Sequence, residues 1–371
     1  MQAPESSSPS SPIKVPIPEP DKVVTYATSS SEPNRGALKL FGDPASPRIA
    51  LMCPGFPDDH QLFQPFARAL SATGVLVGVM CLPGFDHRPE DGVLWNEHKA
   101  DGYSFGEMIC SVREAAGALR RESEAAHSSA GNAAEFTAIF HDWGVVPGTV
   151  WASQIENEPE TQGPDRIVFF DVLAPPPKEK AAELVEADGS KAIIRSLSPK
   201  EMVVTVLYKL VFAFCFELQR CLSKYLALLI FIPSYIFLEI FRLSPILPED
   251  EASRKALDIA GANLSRVLYT GYPYSYLVGE IVRGTVGMQL HKDWKKTPIL
   301  YMYGPEKRTQ FHSFATLELL RREKAGGRSL SRVVSMEGGG HYFFLQQPET
   351  SLKHLLDFME AENTFAEPPT N

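Results

Sequence analysis

The fold and the chemistry of this chain are both indicated by one stretch, Phe136-Thr137-Ala138-Ile139-Phe140-His141-Asp142-Trp143-Gly144. Its apolar first half is typical of a buried strand, and the helix-like segment Val145–Asn157 follows it directly. A sharp strand-to-helix turn lifts the central side chain above the sheet and points the helix N-terminus towards it. In the common Gly-x-Ser-x-Gly version of this turn the central residue is serine, whereas here it is Asp142.

A carboxylate at this position changes the expected chemistry. It is already charged at pH 7 and suits attack on a saturated carbon that bears a leaving group, such as an epoxide or a carbon–halogen bond. The product is an ester on Asp142 that water must hydrolyse. The alternative is that Asp142 only caps the following helix, since aspartate is a favoured N-cap. The strand-turn-helix context favours the nucleophile.

Two other motifs lie where strands are expected to end. The turn Cys53-Pro54-Gly55-Phe56-Pro57-Asp58 follows an apolar run, and the N–H groups of Phe56 and Trp143 are predicted to form an oxyanion hole. His341, in Gly338-Gly339-Gly340-His341-Tyr342, is predicted to be the general base for water. The alternatives are a tight turn and a structural histidine.

The fold class follows from short apolar runs that alternate with helix-length segments. Runs that are apolar on both faces suit a parallel sheet covered by helices, so we predict an α/β fold of the doubly wound type. The runs are Val23–Thr28, Ala37–Phe41, Arg48–Cys53, Val75–Leu82, Phe136–Phe140, Ile167–Val172, Ile299–Tyr303 and Val333–Met336.

The predicted domains are two parts of one core with an insertion between them. The core spans 21–175 and 289–362, and a helical cap spans 176–288. The tails 1–20 and 363–371 are predicted to be disordered; the first twenty residues contain six prolines and five serines.

The predicted cap contains an apolar belt, Val203–Phe216 and Tyr225–Phe241. Its uncharged run, Tyr225–Leu238, has 14 residues, fewer than the roughly 20 that a spanning helix needs. The belt is therefore interpreted as lid core or an interfacial segment, and a membrane hairpin stays as the alternative.

Composition excludes several classes of function. The net charge of -9 argues against a nucleic-acid partner. The five cysteines have no CxxC pair and suit buried thiols in a reducing compartment, so a cytoplasmic protein, with membrane association left open, is expected. Histidine, aspartate and cysteine show no metal-ligand spacing, and neither a metal nor a cofactor is predicted.

The sequence resembles the α/β-hydrolase superfamily, and within it the epoxide hydrolase and haloalkane dehalogenase branch. The resemblance implies a mostly parallel central sheet flanked by helices, a cap over an apolar pocket, and a two-step reaction through a covalent ester. It rests on Pro54-Gly55-Phe56-Pro57, His141-Asp142-Trp143-Gly144, Gly340-His341-Tyr342 and Gln346-Gln347-Pro348-Glu349.

The chain departs from the pattern of this branch at four positions. The resemblance leads us to expect histidine at Pro54, a small residue at Phe140, and glycine at Val145. The fourth departure is Lys307, three residues after Gly304, where one of the two usual positions of the triad acid lies.

The resemblance leaves the triad acid open between two strands. Asp171, which closes Ile167–Val172, is our choice, and Glu306 is the alternative. Epoxide hydrolases of this branch offer cap tyrosines as acids, and Tyr274 is chosen from Tyr272-Pro273-Tyr274-Ser275-Tyr276.

The function predicted from these residues is hydrolysis of an epoxide on a small hydrophobic substrate. The alternatives are haloalkane dehalogenation, or a non-catalytic ligand-binding or membrane-associated member of the fold.

Overall fold

The computed structural model describes residues 18–27, 35–86, 101–127, 133–155, 163–173, 199–240, 268–283, 297–307, 314–325 and 330–361. Its sheet contains eight strands: β1 (Lys22–Ala27), β2 (Arg35–Phe41), β3 (Arg48–Cys53), β4 (Leu76–Val79), β5 (Glu135–His141), β6 (Arg166–Phe170), β7 (Ile299–Tyr303) and β8 (Arg332–Ser335). Their order is β1-β2-β4-β3-β5-β6-β7-β8. β2 pairs antiparallel with β1 and β4, and all other neighbours are parallel, which confirms the predicted mostly parallel sheet.

The central strands are buried on both faces. On β3, Leu51 packs into one core and Met52 into the other, and neither is exposed. Ala138 and Ile139 repeat this arrangement on β5. Because each face is covered, these strands form continuous apolar runs in the sequence instead of alternating with polar residues.

Helices form the outer layers and the cap. They are α1 (Gln64–Ser71), α2 (Phe105–Ala126), α3 (Val145–Ile155), α4 (Pro199–Cys221), α5 (Lys224–Ile240), α6 (Tyr272–Arg283), α7 (Phe314–Ala325), α8 (Phe343–Gln346) and α9 (Pro348–Met359). α1 and α9 pack on one face of the sheet, and α2, α3 and α7 pack on the other.

The sequence between β3 and β4 also predicts a helix, over Gln61–Thr73, and this prediction is wrong in its first turn. The structure has a short 3-10 turn, His60–Leu62, and α1 begins only at Gln64. The carboxylate of Asp59 accepts the N–H of Gln61 and caps the short turn. Pro65 then falls in the first turn of α1, where its missing N–H is not needed.

The described part of the predicted insertion is helical. α4 packs against both α5 and α6. The ring of Phe212 on α4 lies 5.3 Å from that of Phe231 on α5, and Tyr208 lies 5.7 Å from Tyr274 on α6. The limits 176 and 288 of the insertion fall outside the described residues and stay a prediction.

Residues 1–17 of the first predicted tail and all of the second, 363–371, also lie outside the described residues. Within them, Glu19 accepts a hydrogen bond from Arg68 through its carbonyl oxygen (2.5 Å). No helix in the described ranges, α4 and α5 included, has the length and apolarity required to cross a bilayer.

The large side chain of Phe140 is accommodated by a glycine. Phe140 is fully buried, and a Cβ atom added to Gly148 on α3 would lie 2.6 Å from its ring carbons. Its ring packs 6.3 Å from Trp151 and 6.2 Å from Phe169. A small residue before the turn would need no extra space. Here the larger ring of Phe140 fits because Gly148 on α3 has no side chain.

We predict that Gly148→Ala lowers the free energy of unfolding by about 1–3 kcal/mol, since the new methyl group overpacks a rigid core. In the double variant with Gly148→Ala and Phe140→Leu, the smaller side chain at position 140 should restore part of the lost stability. Gly117→Ala on α2 is the control, because its nearest neighbour is the flexible end of Arg121 and alanine favours the helix. Urea unfolding measures all four proteins, and equal stability of the two alanine variants would contradict the prediction.

Candidate active site

The turn after β5 places Asp142 in a strained backbone conformation. Its φ is 48°, in the left-handed region that aspartate tolerates better than most residues. Two glycines allow the backbone to approach closely here. A Cβ at Gly55 would lie 2.3 Å from the Trp143 nitrogen, and one at Gly144 would lie 2.6 Å from the Cys53 carbonyl oxygen. The loop after β3 is thereby held against the turn that carries Asp142.

The structure brings both predicted oxyanion donors to Asp142. The N–H of Phe56 donates to Oδ2 of Asp142 at 3.1 Å. Burial raises the pKa of this carboxyl group, while His341, Lys307 and the backbone N–H of Trp143 act in the opposite direction. Asp142 is therefore partly buried, and its carboxyl group is surrounded by groups that favour its charged form.

His341 contacts the first of the two candidate acids. Its Nδ1 lies 2.6 Å from Oδ2 of Asp171, which follows β6 and has a φ of 69°. Glu306 is exposed, and its backbone N–H donates to the Gly339 carbonyl oxygen. Nε2 of His341 is buried and has no hydrogen-bond partner among the described residues.

Lys307 forms a second contact with the same carboxylate oxygen. Its ammonium group bonds to Oδ2 of Asp171, and both side chains are almost completely buried. Burial alone would raise the pKa of Asp171, but Lys307 and His341 outweigh it and hold the pKa below its ordinary value. The third position after Gly304 thus contributes a cation to the site where the resemblance placed an acid.

A second layer of polar side chains lies behind His341. The His141 ring lies 4.6 Å from the His341 ring, and its Nε2 is 3.3 Å from the His341 carbonyl oxygen. The Tyr342 hydroxyl donates to Asp58 at 3.1 Å. Burial and the nearby charge of Asp142 raise the pKa of Asp58 well above its ordinary value.

Two buried tyrosines of the cap, Tyr208 and Tyr274, are close enough to Asp142 for its charge to affect them. Burial raises the pKa of Tyr208 and Tyr274 well above the usual value, and the charge of Asp142 raises both further. The two hydroxyls hydrogen-bond to each other, and Tyr274 also hydrogen-bonds to Trp143. Burial keeps both hydroxyls protonated, so they can serve as donors above the carboxylate.

The walls around these tyrosines are aromatic. Tyr274 lies 5.0 Å from Trp143 and 4.9 Å from Phe56, and it stacks on Phe212 at 5.2 Å. Tyr272, in contrast, donates its hydroxyl hydrogen to the Pro83 carbonyl oxygen. Of the three candidate cap tyrosines, the structure therefore places Tyr274 at Asp142 and gives Tyr272 a hydrogen bond to the main chain.

Three potential metal ligands meet at the site, although their sequence spacing does not predict it. Donor atoms of Asp58, His141 and His341 lie within 4.8 Å of one another, and no other such group occurs in the described ranges. Ligand atoms of a tetrahedral site with 2.1 Å bonds would be about 3.4 Å apart. Because Asp58 and His341 already have Tyr342 and Asp171 as partners, we assign no metal to this group.

The chain also holds one Gly-x-Ser-x-Gly match, Gly102-Tyr103-Ser104-Phe105-Gly106. Ser104 is the N-cap of α2, where its hydroxyl and the Glu107 carboxylate form a capping box. The match is therefore a helix start and not a nucleophile turn.

Sequence reasoning missed two groups of the site. Tyr208 lies within an apolar run, where nothing local distinguishes it from core residues. Lys307 was noted only as a departure from the expected pattern. Its position three residues after Gly304 was the available signal, because that position lies at the carboxyl end of a parallel strand.

Comparison with family models and with curated proteins gives no match. Solved structures share the fold at low identity. A loop variant of a haloalkane dehalogenase from Bradyrhizobium elkanii has a TM-score of 0.56 at 14% identity, covering 91% of this chain and 96% of its own. A candidate epoxide hydrolase from Klebsiella pneumoniae has a TM-score of 0.52 at 14% identity, covering 92% and 98%.

A third structure shows that this fold does not determine one reaction. A protein that recognises and ring-cleaves the Pseudomonas quinolone signal has a TM-score of 0.52 at 10% identity, covering 91% of this chain and 100% of its own. The three proteins differ in chemistry, so the activity of this chain has to be argued from its own side chains.

We predict that Asp171→Asn lowers the free energy of unfolding by about 3 kcal/mol at pH 7, because it removes the negative charge that Lys307 contacts in a buried ion pair. Glu306→Gln should change it by less than about 0.5 kcal/mol. The pKa of Asp171 is lower in the folded state than in the unfolded state. The difference in free energy of unfolding between the wild type and Asp171→Asn should therefore shrink as the pH falls below about 4. Urea unfolding at several pH values tests this, and equal effects of the two variants would contradict it.

Proposed function

We propose that this chain, which has the α/β-hydrolase fold, hydrolyses an epoxide on a small hydrophobic substrate. The observation that carries the proposal is the pair of cap tyrosines, Tyr208 and Tyr274, next to the partly buried carboxylate of Asp142; Tyr274 packs 5.0 Å from Trp143, the residue after Asp142, and 5.7 Å from Tyr208. This arrangement offers a nucleophile below the epoxide ring and proton donors above its oxygen.

In the first step, a carboxylate oxygen of Asp142 attacks one carbon of the epoxide and the C–O bond to the ring oxygen breaks. A tyrosine hydroxyl transfers its proton to that oxygen as negative charge develops on it. The product is a hydroxyalkyl ester on Asp142, and Tyr274 or Tyr208 is left as a tyrosinate.

In the second step, His341 removes a proton from water, and the resulting hydroxide attacks the ester carbonyl carbon. The N–H groups of Phe56 and Trp143 stabilise the tetrahedral oxyanion. Collapse breaks the ester C–O bond, and the leaving oxygen takes the proton of the hydroxyl group that was added, which releases the diol and regenerates the Asp142 carboxylate. The His341 imidazolium returns its proton to the tyrosinate, so one water is consumed for each epoxide.

Two contacts favour an epoxide over a haloalkane. A halide would need N–H donors, but the indole of Trp143 is bonded to Tyr274. Phe56 contributes an apolar ring in contact with Phe212 at 4.8 Å, and only its backbone N–H is a donor. The same aromatic walls support a hydrophobic substrate.

We predict that His341→Ala accumulates a covalent adduct when it is incubated with a panel of aliphatic and aromatic epoxides. Without the base the ester forms but is not hydrolysed. Intact-protein mass should increase by the full mass of the epoxide, and peptide mapping should locate the increase at Asp142.

Matched variants separate the roles in this experiment. Asp142→Asn should give no adduct, and the Tyr208→Phe and Tyr274→Phe changes together should slow adduct formation by about 100-fold or more in the His341→Ala background. Tyr276→Phe on the same helix is the control. An alkyl adduct with released halide, from a matched haloalkane panel, would instead establish dehalogenation. Absence of any adduct in the folded protein would favour a binding function.

We further propose that the cap contacts a lipid surface. The described residues include 13 exposed large apolar side chains, and 12 of them lie between Val203 and Ile240. Val203, Val206, Leu210 and Phe214 recur at helical spacing on α4. An apolar face of this extent supports binding to a membrane interface. The Lys224 amino group lies 5.2 Å from the ring of exposed Tyr225, and both types of side chain are suited to such an interface.

We predict that the wild type co-sediments with phosphatidylcholine vesicles and that Leu229→Glu with Ile236→Glu weakens this binding by at least about tenfold. Each side chain is half-exposed or more and loses about 1.5–3 kcal/mol of transfer free energy when replaced. Val282→Glu on α6 is the control, since Val282 is exposed on a different helix. Wild-type protein that stays in the supernatant, or equal binding by all variants, would contradict membrane contact.

A further inference from the structure

The feature with no role in the reaction described above is Lys307. Its side chain is 1% exposed, and its ammonium group bonds to Oδ2 of Asp171. Nδ1 of His341 contacts the same oxygen at 2.6 Å. Oδ1 of Asp171 is buried and has no hydrogen-bond partner among the described residues. One carboxylate oxygen of Asp171 therefore contacts both the amino group of Lys307 and the imidazole of His341.

The backbone supports this arrangement on both sides. The N–H of Asp171 donates to the Met302 carbonyl oxygen of β7, and the Tyr301 hydroxyl donates to the Asp171 carbonyl oxygen. A Cβ at Gly304 would lie 2.2 Å from the carbonyl oxygens of Gly339 and Gly340, so the loops that carry Lys307 and His341 are in direct backbone contact. The cation is thus fixed relative to the imidazole.

We propose that Lys307 is a positioning residue whose ammonium group neutralises Asp171 and so keeps the imidazole of His341 unprotonated. An unpaired carboxylate next to a histidine stabilises the imidazolium and holds its proton. A histidine that must take a proton from water has to be neutral at the start of the step. The charge of Lys307 offsets most of the attraction between the Asp171 carboxylate and a protonated His341, while the hydrogen bond to Asp171 still fixes the orientation of the His341 ring. The catalytic consequence rests on the proposed function, but the effect on protonation does not.

Other charged and titratable groups face this cluster from the neighbouring elements. His141 at the end of β5 lies against His341, and Asp142 lies in the following turn. Asp58 and Tyr342 form the layer behind. Lys209 on α4 is within electrostatic reach of Asp142 and Lys307. These groups are the same in wild type and in any variant at position 307, so a comparison between the two isolates the lysine.

The test is the titration of His341, followed by NMR with 13C-labelled histidine. The chain has nine histidines, and the spectrum of His341→Gln identifies the signal. In Lys307→Met the titration midpoint of His341 should move to higher pH by about one unit, a tenfold gain in proton affinity. Lys307→Arg keeps the charge and should titrate like the wild type.

Lys307→Gln provides a neutral variant that can still donate a hydrogen bond to Asp171. It should show the same shift, and it replaces the methionine variant if that protein does not fold. A shift in both neutral variants with rescue by arginine supports the proposal. A midpoint that is unchanged, or that moves to lower pH, would overturn it and leave Lys307 as a structural partner of Asp171.

A second readout follows turnover of an epoxide against pH. The acidic limb of kcat/KM should move to higher pH in the neutral variants by the same amount as the NMR midpoint, and activity above that limb should be retained. If the chain turns over no epoxide, the proposed function fails while the NMR titration still decides the role of Lys307.

Discussion

The carboxylate of Asp171 is the interaction on which the rest of the site depends. Asp171 follows β6, and its backbone N–H donates to a carbonyl oxygen of β7. Its Oδ2 contacts Lys307 from the loop after β7 and His341 from the loop after β8. The carboxyl ends of three parallel strands are thereby connected at one atom. The position of His341 relative to Asp142 is set by this connection, because the glycine-rich loop has few side chains of its own to fix it.

The site is polar on the side of the sheet and aromatic on the side of the cap. Below, the backbone and the buried charges of Asp171 and Lys307 hold polar groups at fixed positions. Above, the cap provides aromatic rings together with the hydroxyls of Tyr208 and Tyr274. The aromatic side chains of the cap lower the local dielectric constant above the buried polar groups. This strengthens the interactions of a reacting group with the Asp142 carboxylate and with the hydrogen-bond donors. The proposed reaction and the proposed hydrophobic substrate therefore both follow from one arrangement.

Much of this could be predicted from the sequence because the signals are local. The strand, turn and helix around Asp142 are consecutive, and the glycines before His341 mark its loop. The sequence favoured Asp171 but left Glu306 open as the acid, since the histidine that would contact it lies 170 residues away from Asp171 along the chain. Tyr208 had no local signal at all, because a tyrosine in an apolar helix looks like core until its neighbours are known. Helix limits differed where one capping side chain, such as Asp59, starts a short turn of its own.

The contact between Phe140 and Gly148 has a consequence for the descent of this chain. A ring at one position and the absence of a side chain at the other are each harmful alone, since the ring needs the space and the empty space without the ring is a cavity. The two positions are therefore expected to change together in related chains. Where both positions change together in related chains, the change would show when the pair of Phe140 and Gly148 arose, and this can be followed without considering the catalytic residues.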